Sequence, residues 1–178
     1  LAARRDKTSI TMAELGEEER VFEEKIGGNP AVIIEEKLSG IEFTLQCLVN
    51  DQTVLPLPLV QDFKKLLPGE KGPNTASMGS FSHSGGLLPY ITAWDYQSAL
   101  EVIEKTLQVF KEETGEICRG FLYGQFMLTT RGIYLIEYNF RPGDPEWMDV
   151  MLRLEGSLLR VIEGLLEGRP EAPSFKPV

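Results

Sequence analysis

Residues 41–49, Ile-Glu-Phe-Thr-Leu-Gln-Cys-Leu-Val, alternate with a period of two. Ile41, Phe43, Leu45, Cys47 and Val49 project to one side of an extended chain; Glu42, Thr44 and Gln46 project to the other. Residues so spaced cannot gather on one face of a helix, so this stretch commits the chain to a sheet with one apolar face. Asn50-Asp51-Gln52 makes a turn, and residues 53–60, Thr-Val-Leu-Pro-Leu-Pro-Leu-Val, return as a second extended segment. The two prolines place that segment at an edge or make it leave the sheet early. Residues 31–38 are short and β-branched and read as a buried strand, so 31–60 reads as an antiparallel meander.

Helices surround this pattern. Residues 11–28 predict one, with Thr11 and Glu14 at capping-box spacing and Gly27, Gly28 and Pro30 as the stop. The clearest runs from Trp94 to Gly115: Asp95 can cap it, Ala99, Leu100, Ile103, Leu107 and Phe110 form the buried stripe, and Gly115 ends it. Two strands follow, 120–130 and 133–140, joined as a hairpin at Arg131-Gly132. Residues 147–168 are helical in two pieces around Gly156. Residues 61–90 are rich in turn residues and read as one long loop, a length that marks function or disorder. The order of elements predicts an α+β fold, an antiparallel sheet with flanking helices. Three segments are expected: residues 1–30 as an N-terminal helical segment, 31–168 as the main domain, and 169–178 as a linker or tail.

Composition narrows the function classes. A chain of 178 residues, 42% hydrophobic, is long enough to bury a core, and its net charge of −9 supplies no basic face for a nucleic acid. No apolar run is long enough to span a bilayer, and the basic opening, 1–15, lacks the apolar middle of a signal peptide. The opening residue is not a methionine, so the chain is expected to be cut from something larger or processed. The two cysteines, Cys47 and Cys118, have no metal-ligand spacing, and a reducing, cytoplasmic setting is the simplest reading.

Chemistry concentrates in three stretches. In a strand, Glu137 and Asn139 project to one face and Tyr138 to the other. A carboxylate beside an amide oxygen suits a hard cation such as Mg2+, which keeps water or phosphate oxygens as further ligands. Arg141 continues the alternation and can hold a carboxylate or phosphate bidentately; Asp144 and Glu146 add acidity. The plain alternative is a solvated strand face ending in a turn. Glu35 and Glu36 face opposite ways, residues 38–40 connect two strands, and Glu42 can accept from a ribose hydroxyl; the alternative there is a hairpin with surface glutamates. Lys64, Lys65 and Lys71 surround a glycine-bearing loop whose amides suit phosphate oxygens, although no Gly-Lys-Ser/Thr follows a strand. Here the alternative is a flexible loop with solvated lysines. His83 is the single histidine, and no nucleophile elbow accompanies it, which argues against a hydrolase.

Three segments, in order, together resemble the ATP-grasp region of the phosphoribosylamine–glycine ligase (glycinamide ribonucleotide synthetase) family. They are Val-Ile-Ile-Glu-Glu-Lys-Leu-Ser-Gly-Ile-Glu-Phe-Thr-Leu at 32–45, Gln-Asp-Phe-Lys-Lys at 61–65 with Lys-Gly-Pro-Asn-Thr-Ala-Ser-Met-Gly-Ser-Phe-Ser at 71–82, and residues 120–146 ending in Arg-Pro-Gly-Asp-Pro-Glu. The resemblance implies an ATP-grasp fold and a Mg2+- or Mn2+-dependent ligase of purine biosynthesis. Such a ligase uses ATP to activate the glycine carboxylate as an acyl phosphate, which phosphoribosylamine attacks to give glycinamide ribonucleotide, ADP and phosphate. Carried over by motif, Glu137 and Asn139 match metal ligands, and Glu35, Leu38 and Glu42 match the segment that holds adenine and ribose. Arg141 and Asp144 match the segment near the substrate. Lys64, Asn74, Met78 and Gly79 match the loop beside the reacting groups, with Lys64 among the catalytic positions.

The chain departs from the family pattern at Phe63, where histidine is usual, at Ala76 and Ser77, where glycines are usual, and at Trp147, where threonine is usual. The resemblance also leaves out the family's N-terminal domain, the first part of the ATP-grasp unit and the small C-terminal domain, so this polypeptide alone is expected to be incomplete as a catalyst. Two further readings stay open: an ATP-grasp ligase for another carboxylate and amine, and a truncated, non-catalytic nucleotide-binding module.

Overall fold

The computed structural model describes residues 36–69 and 71–177. The helix expected at 11–28, most of the strand expected at 31–38, and Glu35 lie outside the described residues. The chain divides into two compact units, 1–39 and 40–178. Residues 36–39 are the described part of the first and form no regular element, so the fold below is that of the second.

Strand β1 (Ile41–Asn50) is the axis of the sheet. On one side it pairs antiparallel with β2 (Thr53–Pro56) and, further along, with β3 (Val60–Asp62). The break between them falls at Leu57-Pro58-Leu59, as two prolines require of a strand that must donate to a ladder. On the other side β1 pairs over its whole length with β7 (Arg119–Thr129), which forms a hairpin with β8 (Gly132–Asn139). Strand β6 (Ser80–Ser82) closes the far edge against β3, giving the order β6-β3-β1-β7-β8. Strands β4 (Lys65–Leu67) and β5 (Lys71–Asn74) make a separate two-stranded ribbon. The stretch expected as one loop over 61–90 therefore holds part of β3 and three further short strands. Their side chains are exposed or half-buried, so no apolar alternation announces them.

The odd-numbered face of β1 is the core. Phe43, Leu45, Cys47 and Val49 are fully buried with Leu122 and Phe126 of β7 beneath helix α1 (Ala93–Thr114), which contributes Ala99, Ile103 and Leu107. Phe43 and Phe126 are cross-strand partners and their rings stack at 5.6 Å. Phe110, expected in the stripe, is 39% exposed. Helix α1 also starts earlier than Asp95 alone indicates. Thr92 is the N-cap, its hydroxyl accepts from the Asp95 N–H at 3.1 Å, and the Asp95 carboxylate accepts from the Thr92 N–H at 3.0 Å. Asp95 is thus the third residue of a reciprocal capping box. Gly115, at φ 72°, closes the helix as expected. Thr92→Ala removes the cap and is expected to cost about 1 kcal/mol in urea denaturation.

The opposite face is covered only in part. Helix α2 (Glu146–Arg153) and helix α3 (Leu158–Leu166) are separated by the two-residue strand β9 (Leu154–Glu155) and Gly156 at φ 85°, so the two-piece expectation for 147–168 holds. Leu165, Leu158, Val161 and Ile162 of α3 cover Leu48, Leu55 and Phe121, while Val150 and Trp147 pack with Leu57 and Val60. Within 169–178, Ser174–Phe175 form β10 and pair with β9. The α+β expectation, an antiparallel sheet with flanking helices, describes this unit. Among the described residues no helix is long and apolar enough to cross a membrane.

Both cysteines are buried and unpaired, and burial pushes both thiols up, Cys47 furthest. Little thiolate is available in the folded state. Iodoacetamide at pH 8 is expected to leave both unmodified in native protein and to label both in urea, as read by mass spectrometry.

Candidate active site

The part of the sheet left uncovered by α2 and α3 is its polar face. Cross-strand partners share a face, and the β1–β7 register pairs Thr44 with Gln125 and Gln46 with Tyr123. Strand β8 joins this face through a register shift. Leu128 pairs with Ile133 and Phe126 with Leu135 on the core side, but Gln125 pairs with Glu137 and Tyr123 with Asn139. Ile136 is the extra residue of a β-bulge and is exposed. Unbroken alternation would put Glu137 and Asn139 on the same side as Ile133 and Leu135, against the core. The bulge turns them onto the polar face and returns Tyr138 to the core, where it packs beneath α1 and meets the Thr106 hydroxyl at 2.9 Å.

Glu137 and Asn139 converge. The Asn139 amide donates to Glu137 Oε1 at 2.9 Å, and the Glu137 side chain is exposed. A half-turn of the amide brings its oxygen beside the carboxylate, giving two hard oxygen donors. Among the described residues no three His, Cys, Asp or Glu stand close enough to enclose a metal by themselves. Two protein oxygens with the remaining positions open fit a small divalent cation that keeps water or phosphate oxygens.

Beside this pair, Glu42 Oε2 accepts from Lys64 Nζ at 3.0 Å and from Gln125 Nε2 at 2.6 Å. The Lys64 and Glu42 side chains are 30% and 40% exposed, so the ion pair contributes at most about 1 kcal/mol and its chief effect is to orient the ammonium. Below them the turn at Pro142-Gly143-Asp144 is held from inside. Gln46 Oε1 accepts the Gly143 N–H at 2.7 Å, and Tyr123 donates its hydroxyl to Glu146 at 2.7 Å. Burial, reinforced by the hydrogen bond to Glu146, pushes the Tyr123 hydroxyl well above the usual phenol range, so it remains a donor. A Cβ on Gly143 would stand 2.7 Å from Glu146 Oε2 and 2.8 Å from the Tyr123 ring, so a larger residue there would force those side chains to shift.

Two adjoining clefts result, sharing Asp62 and Lys64. The smaller, about 130 Å³, gathers Glu137, Asn139, Arg141 and Asp144 with Tyr123, Gln125, Glu146 and Ala76. The larger, about 420 Å³, is lined by Glu42, Asn74, Lys65, Gln61 and Tyr90. Met78 and Gly79 line neither, and Met78 is 57% exposed. Leu38 belongs to the other unit, and Glu35 lies outside the described residues. Sequence reasoning passed over Asp62, Gln125, Tyr123 and Gln46 as site residues. A signal for two of them was present: Tyr123 and Gln125 are two apart in an otherwise apolar strand, as Thr44 and Gln46 are in β1.

Comparison with known proteins places the chain in a family. The family model of the phosphoribosylglycinamide synthetase ATP-grasp (A) domain matches residues 8–147. The chain belongs to that family. The phosphoribosylamine–glycine ligase of Methanothermobacter thermautotrophicus is 47% identical over 155 residues, which cover 87% of this chain and 35% of that enzyme. The Methanopyrus kandleri enzyme of the same name is 48% identical over 151 residues, 85% of this chain and 34% of the enzyme. Among solved structures, phosphoribosylamine–glycine ligase from Thermotoga maritima superposes with a TM-score of 0.69 at 30% identity, covering 88% of this chain and 39% of that one. A D-alanine–D-alanine ligase from Bacillus anthracis, complexed with ATP, shares the fold at a TM-score of 0.51 and 20% identity, over 92% of this chain and 51% of that one. The ATP-grasp fold implied by the sequence is therefore present, and the chain spans about a third of the length of these curated relatives.

Within this phosphoribosylglycinamide synthetase domain, the departures from the family pattern have defined places. Phe63 stacks on Phe81 at 5.6 Å across the β3–β6 edge. Trp147 meets Phe121 edge-on at 5.0 Å under α2. Ala76 lines the smaller cleft, and Ser77 donates to Asp62.

Proposed function

We propose that this domain serves an ATP-dependent carboxylate–amine ligase that joins glycine to 5-phosphoribosylamine, giving glycinamide ribonucleotide, ADP and phosphate in purine biosynthesis. The observation that carries the reading is the bulge at Ile136. It brings the Glu137–Asn139 pair onto the face that also holds Lys64, Arg141 and Asp144, in a chain nearly half identical to enzymes named for this reaction.

Each group has work suited to its chemistry. Glu137 and Asn139 hold Mg2+ or Mn2+, which when bound neutralises charge on the triphosphate oxygens. Glu42, fixed by Gln125, accepts from the ribose and aims Lys64 across the junction of the two clefts. Arg141 takes a carboxylate or phosphate bidentately. Asp144, on a turn held by Gln46, Tyr123 and Glu146, accepts from the amine. Glu35 and Leu38 are the proposed adenine contacts, and Asn74, Met78 and Gly79 border the substrate. An acyl phosphate is hydrolysed by water, so a bordering loop also serves to exclude solvent. The N- and C-terminal segments of the enzyme supply the rest of the site. Two unpaired cysteines fit a reducing, cytoplasmic setting.

The test is ADP release by the full-length protein. The reading expects release only when glycine and phosphoribosylamine are both present. Release with glycine replaced by another carboxylate, and not with glycine, would favour the second reading, a ligase for a different pair. Phe63 and Ala76 are the observations that favour it, since Phe63 stands where the family pattern has histidine and Ala76 puts a side chain where it has glycine.

A further inference from the structure

Arg153, the last residue of α2, is 3% exposed, yet it ends in a charged guanidinium. Taking such a group out of water is costly unless hydrogen bonds replace those to solvent. Here the fork spreads over three separate stretches of chain. Nε donates to the Lys176 carbonyl at 3.1 Å, Nη1 to the Ser82 hydroxyl at 2.9 Å and Nη2 to the Ser84 carbonyl at 3.3 Å. None of these acceptors is charged. A carboxylate enters at one remove, because the Ser82 hydroxyl donates to Asp149 Oδ1 at 2.9 Å. Asp149 Oδ2 is buried with no hydrogen-bond partner among the described residues, so its charge leans on the guanidinium beyond Ser82. A lysine ammonium is a point charge without the planar fork and cannot meet all three acceptors.

The network lies behind the site, since Arg153, Ser82 and Asp149 line neither cleft. What it joins are the two segments that border the substrate in the reading above. Ser82 ends β6, the strand into which residues 74–79 run. Asp149 and Arg153 belong to α2, which starts at Glu146 directly after the turn bearing Arg141 and Asp144. Strand β6 is three residues long and pairs only with β3, at the edge of the sheet, so the two bonds at Ser82 add a hold that its short ladder does not give. Arg153 is itself clamped: its carbonyl accepts the Lys176 N–H at 2.8 Å while its Nε donates back to the Lys176 carbonyl. The proposed nucleotide and metal positions, Glu42, Glu137 and Asn139, are on β1 and β8, which this network does not touch.

We propose that Arg153 is a positioning residue of the ligase: through Ser82 and Asp149 it fixes the end of the substrate loop against the helix behind the Arg141–Asp144 turn, and so sets the gap in which the amino-acid substrate is held. The proposal rests on the ligase reading above. A displacement of about 1 Å among groups that hold a reactant costs on the order of 100-fold. In the full-length protein Arg153→Lys, which keeps the charge and loses the fork, is therefore expected to raise the KM for glycine by about tenfold or more and to leave the KM for ATP within about twofold. Ser82→Ala, which breaks the bridge and leaves the arginine, is expected to show the same split with a smaller factor. Ser82→Thr keeps the hydroxyl and is expected to restore the glycine KM. A merely structural role would lower the folded fraction, and turnover with it, while both KM values stayed where they were. That result in Arg153→Lys and Ser82→Ala would overturn the positioning role alone, as would failure of both variants to fold. Absence of glycine-dependent ADP release from the unaltered protein would overturn the ligase reading and the positioning role with it.

Discussion

Glu137→Gln is expected to lower turnover of the full-length protein by at least about a hundredfold, the scale on which removing one electrostatic stabiliser acts. The same change is expected to leave stability within about 0.5 kcal/mol, as for other surface substitutions. The two halves of this result have separate causes. Glu137 is exposed and accepts from the Asn139 amide at 2.9 Å, a bond that a glutamine oxygen can still accept. What the substitution removes is the negative charge, and with it most of the attraction for a divalent cation. Titration with Mg2+ should then show saturation displaced to higher metal concentration. Unaltered turnover at limiting Mg2+ would show that the carboxylate holds no ion during the reaction.

The second large effect lies on the other side of the sheet. Phe43→Ala is expected to destabilise the domain by about 3–5 kcal/mol. Phe43 is fully buried, stacks on Phe126 at 5.6 Å, and lies in the main core beneath α1. Truncation leaves a cavity that the paired strands β1 and β7 cannot collapse to fill without breaking their ladder. Against a total of about 5–15 kcal/mol for a native domain, that loss takes a large share of the stability. The urea midpoint should fall steeply with little change in slope. A loss under about 1 kcal/mol would mean that this face is not the core.

The features legible in the sequence are those written by long-range burial on regular elements. The alternation at 41–49 gave the axis strand and its core face, and the spacing of Ala99, Ile103 and Leu107 gave the covering helix. Gly115 and Gly156 marked real ends because a positive φ is needed there. The pairing of Glu137 with Asn139 was also readable, since residues two apart share a face of any strand. Which face they share was not. That depends on a one-residue bulge at Ile136, fixed by pairing with β7, and the broken alternation at Leu135-Ile136 is its faint local trace. The short strands inside 61–90 were hidden because the β4–β5 ribbon has no buried side and β6 is three half-buried residues, so neither carries a period-two pattern. Gln46 reads as a solvent-facing residue in the alternation, yet it is buried under the turn at Gly143, 97 residues away in sequence. No local pattern can announce such a contact.

The central claim is that the oxygens of Glu137 and Asn139 meet on one divalent ion. Anomalous diffraction from crystals of the full-length protein grown with Mn2+ and a non-hydrolysable ATP analogue tests it most directly. The expected result is a manganese peak about 2.0–2.3 Å from the Glu137 carboxylate and the Asn139 amide oxygen, shared with oxygens of the nucleotide phosphates. A manganese peak on the nucleotide with both side chains turned away from it, or a peak elsewhere in the cleft, would contradict the account.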